Sequence, residues 1–295
     1  MFKGSMVAMV TPLTNEQTLD MSALEKVIDF HLTNKTDALV VVGTTGEAAT
    51  LSQDEKSQVI RAAVEQVNGK IPVIAGTAAQ STQQTIDNTK QAQALGVDGV
   101  LVMTPAYIKP PQRGLIAHYK ALAFQTDLPI ILYNVPGRTA VDLLPESVQA
   151  LSHIDNIVAI KEASGSLKRA KQLIKMCGGS LDIISGDDAL NLDLMRLGAV
   201  GAISVTANIA ARQMHEVLVL ALKGRWDEAK ALDDTLAQLH ETLFIDANPI
   251  ATKWALSQMG LCLATLRAPL SDLESHYHQV IIAAMQAAGI LKGKS

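Results

Sequence analysis

Short apolar segments alternate with amphipathic segments eight times along this chain, and no other feature of the sequence restricts its fold as strongly. The apolar segments are rich in β-branched residues, as strands buried on both faces are. They fall at residues 6–10, 38–42, 72–75, 97–103, 129–133, 157–160, 181–185 and 199–205. Alternating βα units favour a parallel sheet, and eight of them predict an α/β fold, a (β/α)8 TIM barrel. A doubly wound open sheet is the alternative that this pattern leaves open.

Capping residues and glycines mark the helix boundaries. Ser22 with Glu25, and Ser52 with Glu55, have the spacing of a capping box, in which each side chain accepts a hydrogen bond from the other residue's backbone N–H. A glycine follows four of the helical segments, as expected where a helix ends in the left-handed conformation. These glycines are Gly69, Gly96, Gly198 and Gly224.

Three more amphipathic segments follow the eighth unit, at residues 226–244, 249–259 and 274–288. Neither a linker nor a low-complexity segment separates them from the eight units, so we expect them to pack on the barrel. The sequence thus predicts a barrel over residues 1–224 and a C-terminal helical extension over residues 225–295.

The composition argues against nucleic-acid and membrane partners. The 25 basic and 29 acidic residues give a net charge of −4 without a basic tract, and only 3% of the residues are aromatic, which disfavours a surface for phosphates or bases. No apolar run is long enough to span a bilayer. Cys177 and Cys262 lie far apart without metal-ligand spacing, which favours free thiols in a reducing compartment. We therefore expect a cytoplasmic protein.

Lys161 directly follows the apolar segment 157–160. An amine at the end of a buried strand has little access to water, and burial favours its neutral form. A neutral amine can attack a carbonyl group and form a Schiff base. The alternative is a strand-end lysine that reaches solvent, and this stretch alone does not decide between the two.

Other polar residues follow the predicted strands, where the catalytic groups of a barrel gather. The Gly-Thr-Thr-Gly-Glu segment at 43–47 can converge backbone N–H groups and hydroxyls on a small anion such as a carboxylate, although a plain turn is equally compatible. Tyr107 and Tyr133 are candidate proton relays, and Arg138 suits a second carboxylate. The Ser-Gly-Asp-Asp segment at 185–188 predicts a helix cap and a close backbone approach.

Metal and nucleotide chemistry find little support in the sequence. The seven histidines show no ligand spacing at the strand ends, which disfavours a metal-dependent aldolase. Neither a nucleophile elbow nor a dinucleotide fingerprint occurs.

The segment 43–47, the Tyr-Asn-Val-Pro-Gly-Arg-Thr segment at 133–139 and Lys161 together resemble the dihydrodipicolinate synthase family. This family belongs to the class I pyruvate-dependent aldolases, which also include N-acetylneuraminate lyase. The resemblance runs from the opening residues to the Asn-Pro-Ile segment at 248–250. Arg138 within its motif resembles the synthases rather than the sialic acid lyases.

The resemblance implies a lyase that condenses pyruvate with L-aspartate 4-semialdehyde to 4-hydroxy-tetrahydrodipicolinate, in the branch leading to diaminopimelate and lysine. Lys161 would form the Schiff base with pyruvate. Tyr133 would move protons, relayed through Thr44 and Tyr107. Neither a metal nor an organic cofactor is implied, because the lysine itself draws electrons from the substrate.

The same resemblance assigns the substrate-binding residues. Thr45 would hold the pyruvate carboxylate and Arg138 the carboxylate of the semialdehyde, while Gly186 and Ile203 would contribute backbone near the reacting lysine. Tyr107 would reach into the site of a neighbouring subunit, which implies a homo-oligomer, typically a tetramer of two dimers.

Two other functions stay open on the sequence alone. One is an aldolase for another 2-oxo acid, such as N-acetylneuraminate or a 2-keto-3-deoxy sugar acid. The other is a barrel that binds a 2-oxo acid as a sensor, without turnover of the semialdehyde.

The resemblance also bears on regulation. Members that lysine inhibits bind it at the subunit interface through serine, histidine, asparagine, glutamate and a second tyrosine. The matching positions here are Ala48, Lys56, Gln80, Gln84 and Ala106. Gln84 supplies no negative charge for an ammonium group, and Ala106 lacks the aromatic wall and hydroxyl of a tyrosine. Lys56 brings a like charge toward the ammonium groups, although it could attract the carboxylate. We therefore expect weak inhibition by lysine or none.

Overall fold

Eight parallel strands form a closed barrel at the centre of the computed structural model, which describes residues 1–291. The strands are β1 (Gly4–Ala8), β2 (Ala38–Val41), β3 (Val73–Gly76), β4 (Gly99–Met103), β5 (Ile130–Asn134), β6 (Ile157–Glu162), β7 (Asp182–Ser185) and β8 (Gly201–Ser204). Each strand pairs with the next along the chain, and β8 pairs with β1. The predicted (β/α)8 barrel is confirmed, and the open sheet is excluded because this sheet has no edge.

Nine helices surround the barrel in the described part of the chain. They are α1 (Met21–Thr33), α2 (Gln53–Val67), α3 (Thr82–Ala94), α4 (Gln112–Ala123), α5 (Pro136–Thr139), α6 (Pro145–Leu151), α7 (Leu167–Cys177), α8 (Asn191–Leu197) and α9 (Ala211–Leu222). Short 3-10 turns at Asp188–Leu190 and Thr206–Asn208 follow β7 and β8.

The capping box predicted for α2 is confirmed. Glu55 N donates to Ser52 Oγ at 3.2 Å, and Ser52 N donates to Glu55 Oε2 at 2.8 Å. The four predicted helix-ending glycines all adopt positive φ angles of 71° to 119°, in the region that glycine enters without steric cost. They are Gly69, Gly96, Gly198 and Gly224.

The capping box predicted for α1 is wrong. This helix begins one residue before Ser22, and Asp20 is its N-cap, with Oδ1 accepting a hydrogen bond from Ala23 N at 2.9 Å. An aspartate two positions upstream supplies a charged acceptor near the positive end of the helix, so it displaces the serine from this role.

Side chains of the strands alternate between the barrel interior and the layer under the helices. Met6 faces the interior, whereas Val7 packs beneath the helices. Phe2 lies in the interior cluster next to Gly99, where a Cβ atom would come within 2.7 Å of the phenylalanine ring. Glycine at this position therefore lets the aromatic ring pack inside the barrel.

The C-terminal extension contains four helices within residues 225–291. They are α10 (Trp226–Asp234), α11 (Ala237–Thr242), α12 (Ile250–Gln258) and α13 (His278–Ala287), with a 3-10 turn at Ser275–Tyr277 before α13. The amphipathic segment 226–244 is thus two helices rather than one. Thr235 lies at the break, where its hydroxyl donates to Leu232 O at 2.6 Å and competes with the helical pattern.

The extension packs on the barrel, as its buried residues Leu236, Leu239 and Leu256 belong to the same hydrophobic cluster as the barrel helices. The domain division at residue 224 stays a prediction, and residues 292–295 lie outside the described part of the chain. Cys177 and Cys262 are free and buried, as expected. No helix within residues 1–291 has both the length and the apolar character needed to cross a membrane.

Candidate active site

A cavity of about 340 Å³ opens at the carboxyl ends of the strands. Residues from the barrel and from the C-terminal extension line it together. The predicted site residues in its wall are Thr44, Thr45, Tyr133, Arg138, Lys161 and Gly186. Asp187, His240, Phe244 and Asn248 also line it, and none of these four is among the predicted site residues.

Lys161 lies inside β6, not after it, and its side chain points into the barrel. Ala159, two residues earlier on the same strand, belongs to the interior cluster, so the alternation of the strand turns Lys161 the same way. The residue is only 5% exposed. Tyr133 of β5 is its register partner, and Lys161 Nζ lies 4.5 Å from the centroid of the tyrosine ring. The alternative of a strand-end lysine reaching solvent is therefore wrong.

Gly186 makes room for the lysine side chain. A Cβ atom at this position would lie 2.8 Å from Lys161 Cε and 2.8 Å from Ala163 Cβ, closer than real Cβ atoms approach. The predicted close backbone approach at residues 185–188 is therefore confirmed. Ile203 of β8 is 1% exposed within the interior cluster and lies outside the cavity wall.

The C-terminal extension is hydrogen-bonded to the loop at residues 43–47. Asn248 Nδ2 donates to Thr45 Oγ1 at 2.9 Å, and this contact joins residues 203 positions apart. The carbonyl of Asn248 accepts a longer hydrogen bond of 3.5 Å from Arg138, whose side chain is otherwise open at the cavity rim. One residue of the extension thus contacts both predicted carboxylate-binding residues.

A buried ion pair fixes the end of the same loop. Lys253 Nζ of α12 donates to Glu47 Oε1 at 2.5 Å, and both side chains are almost completely buried. Burial lowers the pKa of Lys253, and the charge of Glu47 opposes this shift. Lys253 Nζ also donates to Thr265 O at 2.7 Å, and Arg267 N donates to Glu47 Oε2 at 3.2 Å. These bonds satisfy polar groups that would otherwise be costly to bury.

A polar network supports the ends of β5 and β6 from outside the barrel. Asn134 Nδ2 donates to Glu162 Oε2 at 3.2 Å and to Asp142 Oδ1 at 3.0 Å, while Ser164 N donates to Glu162 Oε1 at 2.7 Å. Burial raises the pKa of Glu162. Two hydrogen bonds from Arg169, of 2.7 and 2.8 Å, hold the pKa of Asp142 below its usual value. The network fixes the residues next to Tyr133 and Lys161.

The two aspartates after Gly186 have different surroundings. Asp188 is buried, and its carboxylate accepts hydrogen bonds from Val205 N at 2.9 Å and Thr206 N at 2.8 Å. Asp187 occupies the N-cap position of the 3-10 turn that follows it, but its side chain forms no capping hydrogen bond there. This half-buried residue lines the cavity, and burial followed by the charge of Asp188 raises the pKa of its carboxyl group, which a hydrogen bond from the backbone of Ala189 opposes.

His240 reaches the cavity from α11. Its Nδ1 lies 2.9 Å from Thr206 Oγ1 and its Nε2 lies 3.3 Å from Asp233 Oδ1. Burial alone would lower the pKa of His240, but the hydrogen bond to Asp233 and the neighbouring carboxylates outweigh burial and raise it. No group of three or more histidine, cysteine or acidic side chains within residues 1–291 is arranged to hold a metal ion.

Tyr107 lies outside the cavity wall. It is 87% exposed on the loop after β4, with a positive φ of 74°, and its backbone N donates to Thr139 O at 3.1 Å. Its role as a relay in a neighbouring subunit stays a prediction.

Comparison with known proteins decides the family. The model of the dihydrodipicolinate synthetase family matches residues 1–288. The chain belongs to this family. It is 48% identical to the 4-hydroxy-tetrahydrodipicolinate synthase of Saccharophagus degradans and 49% identical to that of Alkalilimnicola ehrlichii, in each case over 99% of this chain and all of the relative.

A solved dihydrodipicolinate synthase has nearly the same fold. The crystal structure of the chloride-inhibited enzyme from Acinetobacter baumannii, in complex with pyruvate, aligns with a TM-score of 0.97 at 47% identity, covering 99% of this chain and all of that chain. The alternative of an aldolase for a sugar-derived 2-oxo acid is not favoured, because these full-length relatives are synthases.

In this dihydrodipicolinate synthase fold, the positions compared with the lysine-binding residues of inhibited members come together. A second cavity of about 740 Å³ borders the first, and Ala48, Lys56, Gln80, Gln84 and Ala106 all line it. Burial lowers the pKa of the Lys56 amine there.

Proposed function

We propose that this enzyme condenses pyruvate with L-aspartate 4-semialdehyde through a Schiff base on Lys161. The observation that carries the proposal is the buried Lys161 amine, which lies against the Tyr133 ring in a cavity that also contains Thr45 and Arg138. Such a site can activate a 2-oxo acid without a metal and bind carboxylates on either side of the reacting carbon.

The first half of the reaction converts pyruvate into a nucleophile. The neutral amine of Lys161 attacks C2 of pyruvate, the carbonyl oxygen leaves as water, and an iminium ion forms. Loss of a proton from C3 gives an enamine, which forms a carbon–carbon bond with the aldehyde carbon of the second substrate. Tyr133 passes protons during these steps, with Thr44 and the Tyr107 of a neighbouring subunit as its relay.

The second half closes the ring and frees the enzyme. Tyr133 takes a proton from the ammonium group of the condensed substrate, and the resulting amine attacks C2 of the iminium. The bond between C2 and Lys161 Nζ then breaks, with Lys161 leaving as an amine. Thr45 holds the carboxylate of pyruvate and Arg138 that of the semialdehyde. Gly186 and Ile203 shape the backbone around the reacting lysine, which is consistent with the room that Gly186 leaves for its side chain.

The resemblance to the family also supports a proposal for the oligomeric state, the pathway and the cellular location. The exposed Tyr107 supports a homo-oligomer in which it enters the neighbouring site, and we expect a tetramer of two dimers. The reaction belongs to the branch that leads to diaminopimelate and lysine, in the cytoplasm.

Borohydride trapping tests the mechanism. Pyruvate with borohydride should add a reduced adduct to Lys161 in the wild type and none in Lys161→Ala, while the exposed Lys171→Ala should react like the wild type. Turnover should be measured with L-aspartate 4-semialdehyde and with N-acetylneuraminate side by side. Folded wild-type enzyme without an adduct would disprove the Schiff base, and an adduct without turnover of the semialdehyde would favour a sensor.

Inhibition by L-lysine should be weak or absent. Gln84 lacks a negative charge, Ala106 lacks a ring, and Lys56 places a cation in the second cavity, so lysine finds few groups that bind it. A ligand that binds both states of an enzyme equally cannot shift its activity. Initial rates measured against rising L-lysine decide this, and strong inhibition below 1 mM, as an order-of-magnitude limit, would contradict it.

A further inference from the structure

Asp187 has no role in the reaction as written above, although it lines the cavity in which the reaction occurs. In the described chain, four residues of the lysine, arginine, histidine and acidic types line that cavity, namely Lys161, Arg138, His240 and Asp187. Asp187 is the one carboxylate among them. The cavity wall is otherwise suited to anions, so this single negative group requires a chemical explanation.

The neighbouring Asp188 has a structural role that Asp187 does not share. Asp188 uses one carboxylate oxygen for two backbone N–H groups and the other for Asn191 Nδ2 at 3.2 Å. It therefore organises the backbone after β7 and β8. Asp187 instead forms no side-chain capping hydrogen bond, and none of the ion pairs among residues 1–291 includes it. The backbone of Ala189 contributes a hydrogen bond to its carboxylate, but this half-buried residue at the cavity wall has no charged partner in an ion pair.

The second substrate carries the group that matches this carboxylate. L-Aspartate 4-semialdehyde has an aldehyde, a carboxylate and an α-ammonium group. The enamine on Lys161 takes the aldehyde and Arg138 takes the carboxylate, which leaves the ammonium group without a partner. An ammonium ion moved from water into a cavity needs a charged or strongly polar acceptor.

We propose that Asp187 binds the α-ammonium group of the semialdehyde and thereby selects an amino-acid aldehyde over aldehydes that lack nitrogen. This inference rests on the proposed function. Arg138 and Asp187 line the same cavity and form a cation–anion pair of binding groups that matches a zwitterion. A sugar-derived aldehyde, or an aldehyde that carries a carboxylate but no amino group, presents no cation to Asp187. Its binding would remove water from this carboxylate without supplying a new partner.

Asp187→Asn tests this role, because it keeps the shape of the side chain and removes its charge. KM for L-aspartate 4-semialdehyde should rise about ten- to hundredfold, as expected when a charged hydrogen bond is lost. KM for pyruvate and the rate of borohydride trapping should stay within about twofold of wild type. A twofold change corresponds to less free energy than a typical hydrogen bond contributes. The control is Asp193→Asn, on the exposed face of α8, which should leave all three values unchanged.

Succinate semialdehyde, which lacks the amino group, separates charge recognition from cavity shape. Its inhibition constant against L-aspartate 4-semialdehyde should be equal or lower in Asp187→Asn than in the wild type, because the variant removes the carboxylate that this ligand leaves without a partner. A parallel weakening of both ligands, or an unchanged KM for the semialdehyde substrate, would overturn the role of Asp187. Asp187→Ser provides the same readouts if the asparagine variant does not fold. Failure of the proposed function itself would show separately, as a missing adduct in the wild type.

Discussion

The two sides of the cavity are held by different kinds of interaction. On one side, Lys161 and Tyr133 are neighbours in the barrel, and hydrogen bonds between residues 8 to 28 positions apart support the strands that carry them. On the other side, the loop at residues 43–47 is held by Asn248 and Lys253, which are more than 200 positions away. Strand register and hydrogen bonds within the barrel place the lysine side, whereas the loop side depends on a buried ion pair and the C-terminal extension.

This difference separates chemistry from stability. A change on the lysine side can remove a reacting group from a framework that stays intact. A change on the loop side leaves a buried charge without its partner, and such a charge costs far more than an exposed pair contributes. Loss of the buried ion pair should therefore have the largest effect on stability, and loss of a partly exposed charge the smallest.

Lys253→Ala should lower the free energy of unfolding by about 3–5 kcal/mol, because Glu47 would remain buried without a counter-charge. Chemical denaturation followed by circular dichroism measures this loss. The matched control is Lys230→Ala, which removes an ion pair with Asp234 whose partners are both exposed and should change stability little. The double variant Glu47→Gln/Lys253→Met should recover part of the loss, and an unaffected Lys253→Ala would contradict the role of the pair.

Tyr133→Phe should slow turnover about a hundredfold or more, as expected for a positioned acid–base group. The phenylalanine ring retains the packing against Lys161, so the denaturation midpoint should stay close to that of the wild type. Steady-state rates test the expected loss of turnover, and a melting curve on the same preparation tests the unchanged stability. Tyr277→Phe in the extension is the control, and a normal rate for Tyr133→Phe would remove this residue from the mechanism.

Asn248→Ala should raise KM for pyruvate about two- to tenfold, since it removes one neutral hydrogen bond to Thr45. The effect should appear mainly in KM, because Asn248 holds the loop that binds a carboxylate and does not touch Lys161. A fall in kcat with an unchanged KM would show instead that the extension supports the chemical step.

Glu55→Gln should have the smallest effect, and this effect should depend on pH. A hydrogen bond from Arg267 is the main cause that lowers the pKa of Glu55 from 4.5 to about 2. The ionised form therefore stabilises the folded enzyme, fully above about pH 4.5 and progressively less as the pH falls toward about 2. Melting temperatures of the two proteins should differ most near neutral pH and converge on acidification. A constant difference would show that the carboxylate charge is irrelevant.

The sequence predicted the barrel well because every βα unit repeats the same local pattern. Each predicted strand overlaps an observed one, but β6 extends through Lys161 and Glu162, where charged residues concealed the strand from a hydrophobicity pattern. The α1 cap failed for a similar local reason, because Asp20 competes with Ser22 for the same helix end.

The hydrophobicity pattern could not predict which residues of the C-terminal extension line the cavity. Asn248 and His240 lie in amphipathic segments whose pattern reports only which face is buried, and their contacts with the cavity depend on how the extension folds back. The pattern of the segment 185–188 predicts only a helix cap and a close backbone approach, and it gives Asp187 no role in binding a substrate. Only the three-dimensional arrangement shows that Asp188 accepts hydrogen bonds from the backbone of residues 205 and 206 while Asp187 lines the cavity.

The pairing of Glu47 with Lys253 also constrains when the enzyme becomes complete during its synthesis. The ribosome must add 206 residues after Glu47 before its partner exists, which takes roughly 10–40 s at ordinary rates of elongation. Over that interval the barrel strands emerge in their order of pairing, but the carboxylate-binding loop lacks its buried counter-charge. Translation that stops before α12 would therefore yield a nascent chain that carries Lys161 and Tyr133 but cannot hold its substrates.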